Sequence, residues 1–290
     1  MFAQQLVNGL TVGSVYALIA IGFSMVYGIL RIVNFAHGDI FMMGTFFGLT
    51  LSRTFGIYFV VALPLAGLCT ALLGIAIERF AYRPIRVADR LASLISAMGV
   101  SIMLANIAQV IFGTETRPFS VGIEIQRITI GSVVLSNLQI YILLLSTLLM
   151  IALYTMVQKT KFGVAMRATS HSLDNAKLMG INTNHVIAMT FAIGSILAAI
   201  AGFMAGAYYD AVYPTMGYNY GLKAFAAAVL GGIGNLPGAM LGGILIGVIE
   251  SLGAAYISSG YTNAFAFGIL IIVLIFKPSG ILGRATRDKV

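Results

Sequence analysis

Charged residues are scarce in this 290-residue chain: they make up 9% of the sequence, whereas apolar residues make up 59%. Soluble globular domains carry about 25% charged residues, so the composition excludes an ordinary soluble domain. Tryptophan is absent. The single cysteine, Cys69, lies in an apolar run, so it has no partner for a disulfide bond within the chain. These features predict one polytopic membrane domain that covers residues 1–290.

Motifs for nucleotide and metal chemistry are also missing. The chain has no GxxxxGK[ST] loop for ATP phosphates, no HExxH motif and no paired cysteines. Its three histidines, His37, His171 and His185, are far apart in sequence. We therefore expect a protein that is not an enzyme and that binds no metal or cofactor itself. The net charge of +8 comes from basic residues scattered in loops, which does not favour nucleic-acid binding.

Long apolar runs alternate with polar connections. A helix needs about 20 apolar residues to cross the hydrocarbon core, and most of the runs reach that length. We predict an all-α polytopic membrane protein with eight or nine transmembrane or half-membrane helices. The polar connection at 113–136 alternates like strands in its middle, which predicts a small hairpin there. The runs are residues 6–30, 40–51, 57–77, 91–112, 138–157, 186–207, 222–232, 238–257 and 265–276.

Two of these runs, residues 40–51 and 222–232, are too short to span comfortably, and each lies in a different half of the chain. The segment NFAHG precedes the first, and GIGNLPG follows the second. Paired interrupted helices indicate an internal repeat with a substrate path between its halves. The alternative is poor helix formation at a tight packing site, where glycines allow close approach. The packing candidates are Gly231, Gly232, Gly238 and Gly242, and the path candidates are Asn34, His37, Asn106, Gln109 and Asn235.

Two carboxylates lie at membrane depth, Asp39 and Glu250. Intramembrane carboxylates are candidates for function. For Asp39, capping of its own helix is the favoured interpretation. For Glu250, a structural bond to a neighbouring helix or to Lys223 is favoured over substrate contact. No regular series of carboxylates follows the spans, so a proton relay is not indicated.

Most of the 17 basic residues fall in three segments, at 79–90, 159–177 and 277–289. All three can share one side of the membrane if residues 91–112 and 138–157 form a pair of spans. The positive-inside rule makes that side cytoplasmic, with the C-terminus on it. The connection at 113–136 then faces outward.

The segment 159–184 is the longest polar interruption between spans, and part of it has the pattern of a short amphipathic helix. A side-chain oxygen of Thr169 or Ser170 can cap its start, Asp174 favours the positive helix end, and Gly180 suits its termination. Such a helix either lies on lipid or docks into a groove on a soluble partner; an ordered surface loop is the alternative. The apolar stripe consists of Leu173, Ala176 and Met179.

Several stretches resemble the LivH-type permeases of branched-chain amino acid ABC transporters. NFAHG and GGIGNLPGAMLGG (231–243) are the most specific, and ERFAYRPIR (78–86) and LMGINTNHVIAMTFAIG (178–194) also match. The resemblance covers nearly the whole chain. It implies a bacterial inner-membrane subunit that pairs with a LivM-type permease. It also implies two cytosolic ATPase subunits that hold ATP and magnesium, and a periplasmic protein that delivers leucine, isoleucine or valine.

The resemblance further implies that segment 159–184 is a coupling loop, although the usual EAA triplet is replaced here by Ala168-Thr169-Ser170. We therefore expect the permease subunit of an ATP-driven amino-acid importer. Alternatives are a permease for urea or short amides, an ATP-independent channel in which NFAHG and GNLPG meet in mid-membrane, and a secondary carrier. The coupling residues implied are Thr169, Ser170, Leu173, Asp174, Ala176, Met179 and Gly180.

Overall fold

Helices form nearly all of the regular structure. The computed structural model describes residues 1–86, 90–119, 126–131 and 133–283. The helices there are α1 (Phe2–Leu30), α2 (His37–Arg53), α3 (Phe59–Ile77), α4 (Arg90–Phe112), α5 (Asn137–Lys159), α6 (Lys161–His171), α7 (Leu173–Leu178), α8 (Thr183–Tyr209), α9 (Met216–Gly231), α10 (Leu236–Tyr256) and α11 (Thr262–Phe276). A π-helical turn, Glu78–Tyr82, extends α3, and a 3-10 turn, Ser259–Tyr261, precedes α11. The hairpin pairs β1 (Arg127–Ile130) with β2 (Val133–Ser136) in antiparallel register.

In the described part of the chain, seven helical segments are long and apolar enough to cross a membrane. They contain α1, α3, α4, α5, α8, α10 and α11. Helices α2 and α9, of 17 and 16 residues, are shorter and are not among these seven. The predicted all-α polytopic fold is thus confirmed. Both short helices begin earlier than the apolar runs predicted, because each continues through glycine and polar residues.

Helices α1 and α8 form the core of the protein. In their most apolar windows 89% and 78% of the residues are buried, whereas the corresponding value for α11 is 6%. Helix α1 packs along α10 through glycines: a Cβ on Gly247 would overlap the backbone of Gly13, and a Cβ on Gly243 would overlap Ala17. Small residues at these positions bring the two backbones together, which is how helices associate tightly in membranes.

The helices α1 to α3 and the helices α8 to α10 form two groups of three, and the first helix of each group packs on the other two helices of the opposite group. Helix α1 packs on α9 and α10, and α8 packs in the same way on α2 and α3. Both α1 and α8 end at a non-glycine residue in the left-handed conformation, Arg31 (φ 56°) and Asp210 (φ 47°). These observations support the predicted internal repeat, with α2 equivalent to α9. NFAHG contains the start of α2 whereas GIGNLPG follows the end of α9, so these two segments do not occupy equivalent positions.

The three basic segments lie at the same end of the helices. Arg86 donates to Asn184 Oδ1 over 2.9 Å, which joins the first segment to the start of α8. Leu282 N donates to Gly231 O over 3.0 Å, which places the start of the C-terminal basic segment beside the end of α9. Arg167 and Gly234 line one small cavity, so the segment 159–177 lies beside the same end of α9. The basic residues beyond 283 and the side chain of residue 90 lie outside the described part.

The opposite end carries the hairpin and the start of α1. Gln4 exchanges two hydrogen bonds with the backbone of Val134, at 2.8 and 3.0 Å. Arg117 and Val212 form a backbone bridge that fastens the connection after α4 to the segment before α9. The predicted hairpin occupies the end of the connection 113–136, and residues 120–125 and 132 lie outside the described part.

Candidate functional site

The first turns of α2 and α9 meet inside the protein. A Cβ on Gly38 would overlap the carbonyl oxygen of Gly217 and would lie 2.8 Å from Gly221 Cα. Neither helix has a side-chain cap at its start. A helix start carries unpaired N–H groups and a partial positive charge, so two such ends adjoin at this point. We call the contact among Gly38, Gly217 and Gly221 the half-helix junction.

Asp39 lies at the half-helix junction and is 3% exposed. The predicted role of its side chain as a helix cap is wrong: the residue that precedes α2 is Ala36, and Asp39 is already within the helix. Its carboxylate instead accepts a hydrogen bond from Ser101 Oγ on α4. A Cβ on Gly217 would lie 2.7 Å from Asp39 Oδ1, so α9 approaches the carboxylate closely.

A cavity of about 340 Å³ opens beside Asp39. Its volume falls in the range of small-molecule sites, about 300–1,000 Å³. Most of its wall is apolar, and the residues with polar side-chain groups in it are Asp39, Ser101 and Tyr218. The wall consists of Phe23, Phe35, Asp39, Met98, Ser101, Ile102, Gly217, Tyr218, Gly221 and Leu222. We call this space the Asp39 cavity.

Asn34 and His37, both predicted on the substrate path, are buried behind this wall. Asn34 Oδ1 accepts a hydrogen bond from Tyr82 OH over 2.8 Å, so the NFAHG segment is tied to the π-helical turn. His37 is 1% exposed, packs edge-on to Phe23 with ring centroids 4.8 Å apart, and contacts Gly22. Neither residue lines the Asp39 cavity.

The other three predicted path residues also lie elsewhere. Asn106 was expected to face protein but is exposed on α4, where its side-chain nitrogen donates to Ile102 O over 2.7 Å. The reason is that α4 lies at the periphery, with 22% of its apolar window buried. Gln109 is half-buried on the same helix. Asn235 caps α10 by accepting from Gly238 N over 3.2 Å, and it donates to Leu282 O over 2.6 Å.

The glycines singled out around GIGNLPG lie where backbones meet. A Cβ on Gly242 would overlap the carbonyl of Ala227, and one on Gly231 would overlap Gly238. Gly232 has φ of 104°, which favours glycine. GIGNLPG also lies beside the end of α1, since Gly234 Cα is 3.7 Å from a Cβ placed on Gly28. His37 contacts Gly22, further into α1, so the two polar segments do not meet in mid-membrane as the channel alternative requires.

The predicted bond between Glu250 and Lys223 is confirmed. Lys223 Nζ lies 2.6 Å from Glu250 Oε1, with the two side chains 11% and 13% exposed. Tyr16 OH donates to Glu250 Oε2 over 3.0 Å. The pair therefore joins α1, α9 and α10, and its charges are already satisfied within the protein.

The segment 159–184 forms two helices, α6 and α7, and the predicted caps were misplaced. Thr160 caps α6, with Gly163 N donating to its hydroxyl over 3.1 Å, and Ser172 caps α7, with Asn175 N donating over 3.2 Å. Thr169 and Ser170 lie inside α6, where their hydroxyls donate to carbonyls of their own helix. The sequence misled because the segment contains two helices. The cap of α6 lies nine residues before Thr169, directly after α5, and α7 begins separately after Ser172.

Helix α7 ends at Leu178, and Gly180, two residues further on, has φ of 79°. Ile181 N donates to Ala176 O over 3.0 Å and Gly180 N to Lys177 O over 2.9 Å, the pair of bonds that defines a Schellman motif. Ala176 is buried, but Met179 does not continue the buried stripe.

The C-terminal end of α7 instead presents apolar side chains to solvent. Leu178 is 85% exposed and Met179 is 81% exposed. Leu173 is half-buried, and Asp174 pairs with Lys177 over 3.2 Å on the exposed side. We call Leu178 and Met179 the α7 tip.

Ser101, Tyr82 and Tyr16 were not recognised as candidates. Ser101 contacts Asp39 across 62 residues, Tyr82 contacts Asn34 across 48, and Tyr16 contacts Glu250 across 234. A polar residue in an apolar run was the available signal for Ser101. The tyrosines carried no signal, because their rings are compatible with any position in a membrane core.

The fold and these contacts define a polytopic helical membrane protein with a central pair of half-helices and a soluble helix pair at its basic end. Residues 5–274 match the family described as branched-chain amino acid transport system / permease component, and the chain belongs to this family.

Two relatives match the chain along its full length. The permease protein BraD of the high-affinity branched-chain amino acid transport system of Pseudomonas aeruginosa is 44% identical over 100% of this chain and 98% of that protein. LivH of Escherichia coli K12, with the same description, is 42% identical with the same coverage. Among solved structures, PsaBC from Streptococcus pneumoniae in complex with Fab shares the fold, with a TM-score of 0.51, 13% identity, and 96% and 93% of the two chains covered.

Proposed function

We propose that this chain is the transmembrane permease subunit of an ATP-driven importer that moves branched-chain amino acids into the cytoplasm. Its relatives at 42–44% identity over the full length are named for high-affinity branched-chain amino acid transport, which supports the substrate class. The observation that carries the mechanism is the α7 tip, a pair of exposed apolar side chains at the basic end of a membrane protein. Exposed apolar residues on a short soluble helix suit docking into a groove.

The proposed assembly contains a LivM-type permease, two cytosolic ATPase subunits and a periplasmic binding protein, in the bacterial inner membrane. ATP and magnesium bind to the ATPases, and this chain contributes no cofactor site. The basic end faces the cytoplasm, in accordance with the positive-inside rule, so the hairpin faces the periplasm. The exposed apolar sides of α4 and α11 contact lipid or the second permease.

Force applied to the α7 tip reaches the core through α6. Arg167 donates to the carbonyl of Val157 at the end of α5, and a Cβ on Gly163 would overlap the same carbonyl. Helix α6 also packs on α1 and α8, the two most buried helices. A displacement of the soluble pair is thereby transmitted to the helices around the half-helix junction.

Substitutions in α7 test the coupling role. Gly180→Val places a β-branched residue at φ 79°, a conformation that costs about 1–3 kcal/mol, and Asp174→Lys reverses an exposed charge on the same helix. Leu178→Asp removes half of the α7 tip. We expect each variant to insert in the membrane and retain its permease partner, but to lose leucine uptake and co-purification with the ATPase.

The matched control is Ile128→Asp, which changes an apolar residue that is 47% exposed at the opposite end. It should co-purify with the ATPase as the wild-type chain does. Leucine uptake at the wild-type rate by the α7 variants would contradict the proposed role of α7 in coupling the ATPase to transport. Purification of the wild-type chain alone, with leucine flux in the absence of ATP, would instead favour a channel.

Urea and short amides need a binding cavity with a different wall from the one that branched-chain amino acids need. Urea and short amides are recognised by polar groups, whereas the wall of the Asp39 cavity is mostly apolar. Competition of labelled leucine uptake by valine and isoleucine, but not by excess urea or acetamide, is the expected result. Inhibition by urea or acetamide in the absence of inhibition by valine would assign the chain to the other substrate class.

A further inference from the structure

Within the part of the chain that the structure describes, the Asp39 carboxylate has no cationic partner. Among the residues that the structure describes, Lys223 pairs with Glu250, and no lysine or arginine forms an ion pair with Asp39. Its one side-chain partner, the Ser101 hydroxyl, carries no charge. A buried carboxylate is costly unless a cation or hydrogen-bond donors compensate it, and intramembrane carboxylates usually mark ion or substrate pathways.

The Asp39 cavity is shaped for a small molecule with one polar end. The carboxylate and the Ser101 hydroxyl lie on the wall beside the half-helix junction. The aromatic rings of Phe23 and Phe35 and the aliphatic side chains of Met98 and Ile102 form much of the rest. An apolar amino acid has this distribution of charged and apolar groups.

The start of α9 also borders the cavity, through Gly217 and Tyr218. These are the second and third residues of a helix that has no side-chain cap. Backbone N–H groups at a helix start bind carboxylates, and transporters use the starts of broken helices for this purpose. A Cβ on Gly217 would lie 2.7 Å from Asp39 Oδ1, so the start of α9 and the carboxylate lie side by side at this wall of the cavity.

We propose that the Asp39 cavity binds the transported amino acid in transit, with the Asp39 carboxylate receiving the ammonium group and the start of α9 receiving the carboxylate. The aliphatic side chain then lies against Phe23, Phe35, Met98 and Ile102. Ser101 is a positioning residue, because its hydrogen bond orients the Asp39 carboxylate. The inference rests on the proposed import of branched-chain amino acids and adds the site at which this chain recognises them.

The test uses the complete importer in proteoliposomes, together with the detergent-purified permease–ATPase complex. Asp39→Asn is nearly isosteric and retains an acceptor for Ser101, but removes the negative charge. Loss of one charge-assisted contact should raise the KM for leucine uptake, or lower its rate, by about tenfold or more. Co-purification of the second permease and of the ATPase subunits should remain, which shows that the complex still assembles. Asp210→Asn is the control, since it neutralises an exposed carboxylate and keeps a residue tolerant of φ 47°.

Equilibrium binding of labelled leucine to the wild-type complex, without the binding protein, gives a second readout that needs no variant. Isopentylamine, which retains the ammonium group, should compete for the site, and 4-methylpentanoate, which lacks it, should compete much less. Ser101→Ala should weaken leucine binding while Ser101→Thr, which retains the hydroxyl, restores it.

The outcomes separate the two proposals. Leucine uptake by Asp39→Asn with wild-type KM and rate overturns the site and leaves the importer standing. Equal competition by isopentylamine and 4-methylpentanoate also overturns the ammonium assignment. Failure of the wild-type importer to transport any branched-chain amino acid overturns the proposed function itself.

Discussion

At the scale of single residues, the ion pair between Lys223 and Glu250 is a largely buried contact between helices. Its two side chains are 11% and 13% exposed, and Tyr16 adds a third hydrogen-bonding group. Removal of one partner of a buried pair leaves an uncompensated charge, whereas replacement of both partners by apolar groups is often neutral. The pair therefore fixes how α1, α9 and α10 fit together.

Lys223→Met should lower the free energy of unfolding by about 3 kcal/mol, because Glu250 is then buried without a cation. The double variant Lys223→Met with Glu250→Leu should recover most of this loss. Thermal unfolding in detergent, monitored by fluorescence of the tagged chain, measures both.

The exposed pair of Lys177 and Asp174, with side chains 60% and 89% exposed, provides the comparison. Lys177→Met should change stability by less than about 1 kcal/mol, because solvent screens an exposed pair. Equal effects of the two lysine substitutions would mean that burial does not determine the contribution of the inner pair.

At the scale of elements, two short helices with mutually close starts distinguish this fold from a simple bundle. Gly38 contacts Gly217 and Gly221 so closely that no side chain fits between α2 and α9. This contact keeps the Asp39 carboxylate beside the start of α9 and against α4. Longer helices in place of α2 and α9 would carry their ends out of the membrane and would leave no such junction.

Gly38→Ala should destabilise the protein by about 1–3 kcal/mol, because the added methyl group meets backbone atoms that cannot rotate away. Gly268→Ala on α11 is the control, since a Cβ there meets nothing within 4 Å. The midpoint of thermal unfolding should fall for the first variant and stay unchanged for the second. A stable Gly38→Ala protein would show that the two helices can separate without cost.

At the scale of the whole molecule, the described parts of the basic segments gather at one end, and the hairpin lies at the other. By the positive-inside rule, this asymmetry predicts that the basic end faces the cytoplasm. In the proposed assembly, the α7 tip and the hairpin then lie on opposite sides of the membrane.

Labelling of single cysteines tests this orientation in a Cys69→Ser background. A membrane-impermeant maleimide applied to spheroplasts should label Ile128→Cys on the hairpin at once. Lys161→Cys on α6 is exposed but faces the opposite side, so its labelling should require permeabilised membranes. The reverse pattern would invert the topology and assign the α7 tip to the periplasm.

The sequence by itself determined the class of the protein and much of its local structure. Apolar runs matched to the thickness of a bilayer predicted the spanning helices, because every backbone polar group must be paired within the membrane. The end of α7 before Gly180 was equally readable, since a left-handed residue after a helix depends on its immediate neighbours. The two short runs correctly located the short helices α2 and α9.

Only the tertiary structure decided which side chains meet and which face is buried. The helix cap predicted for Asp39 required only local geometry, but its carboxylate bonds Ser101 from another helix instead. Asn106 is polar in an apolar run and yet faces outward, because α4 packs at the periphery. Hydrophobicity sets the length of a membrane helix but not its rotation or its neighbours, since lipid and protein interiors are almost equally apolar. Close packing of small residues fixed those choices, and with them the position of the Asp39 cavity.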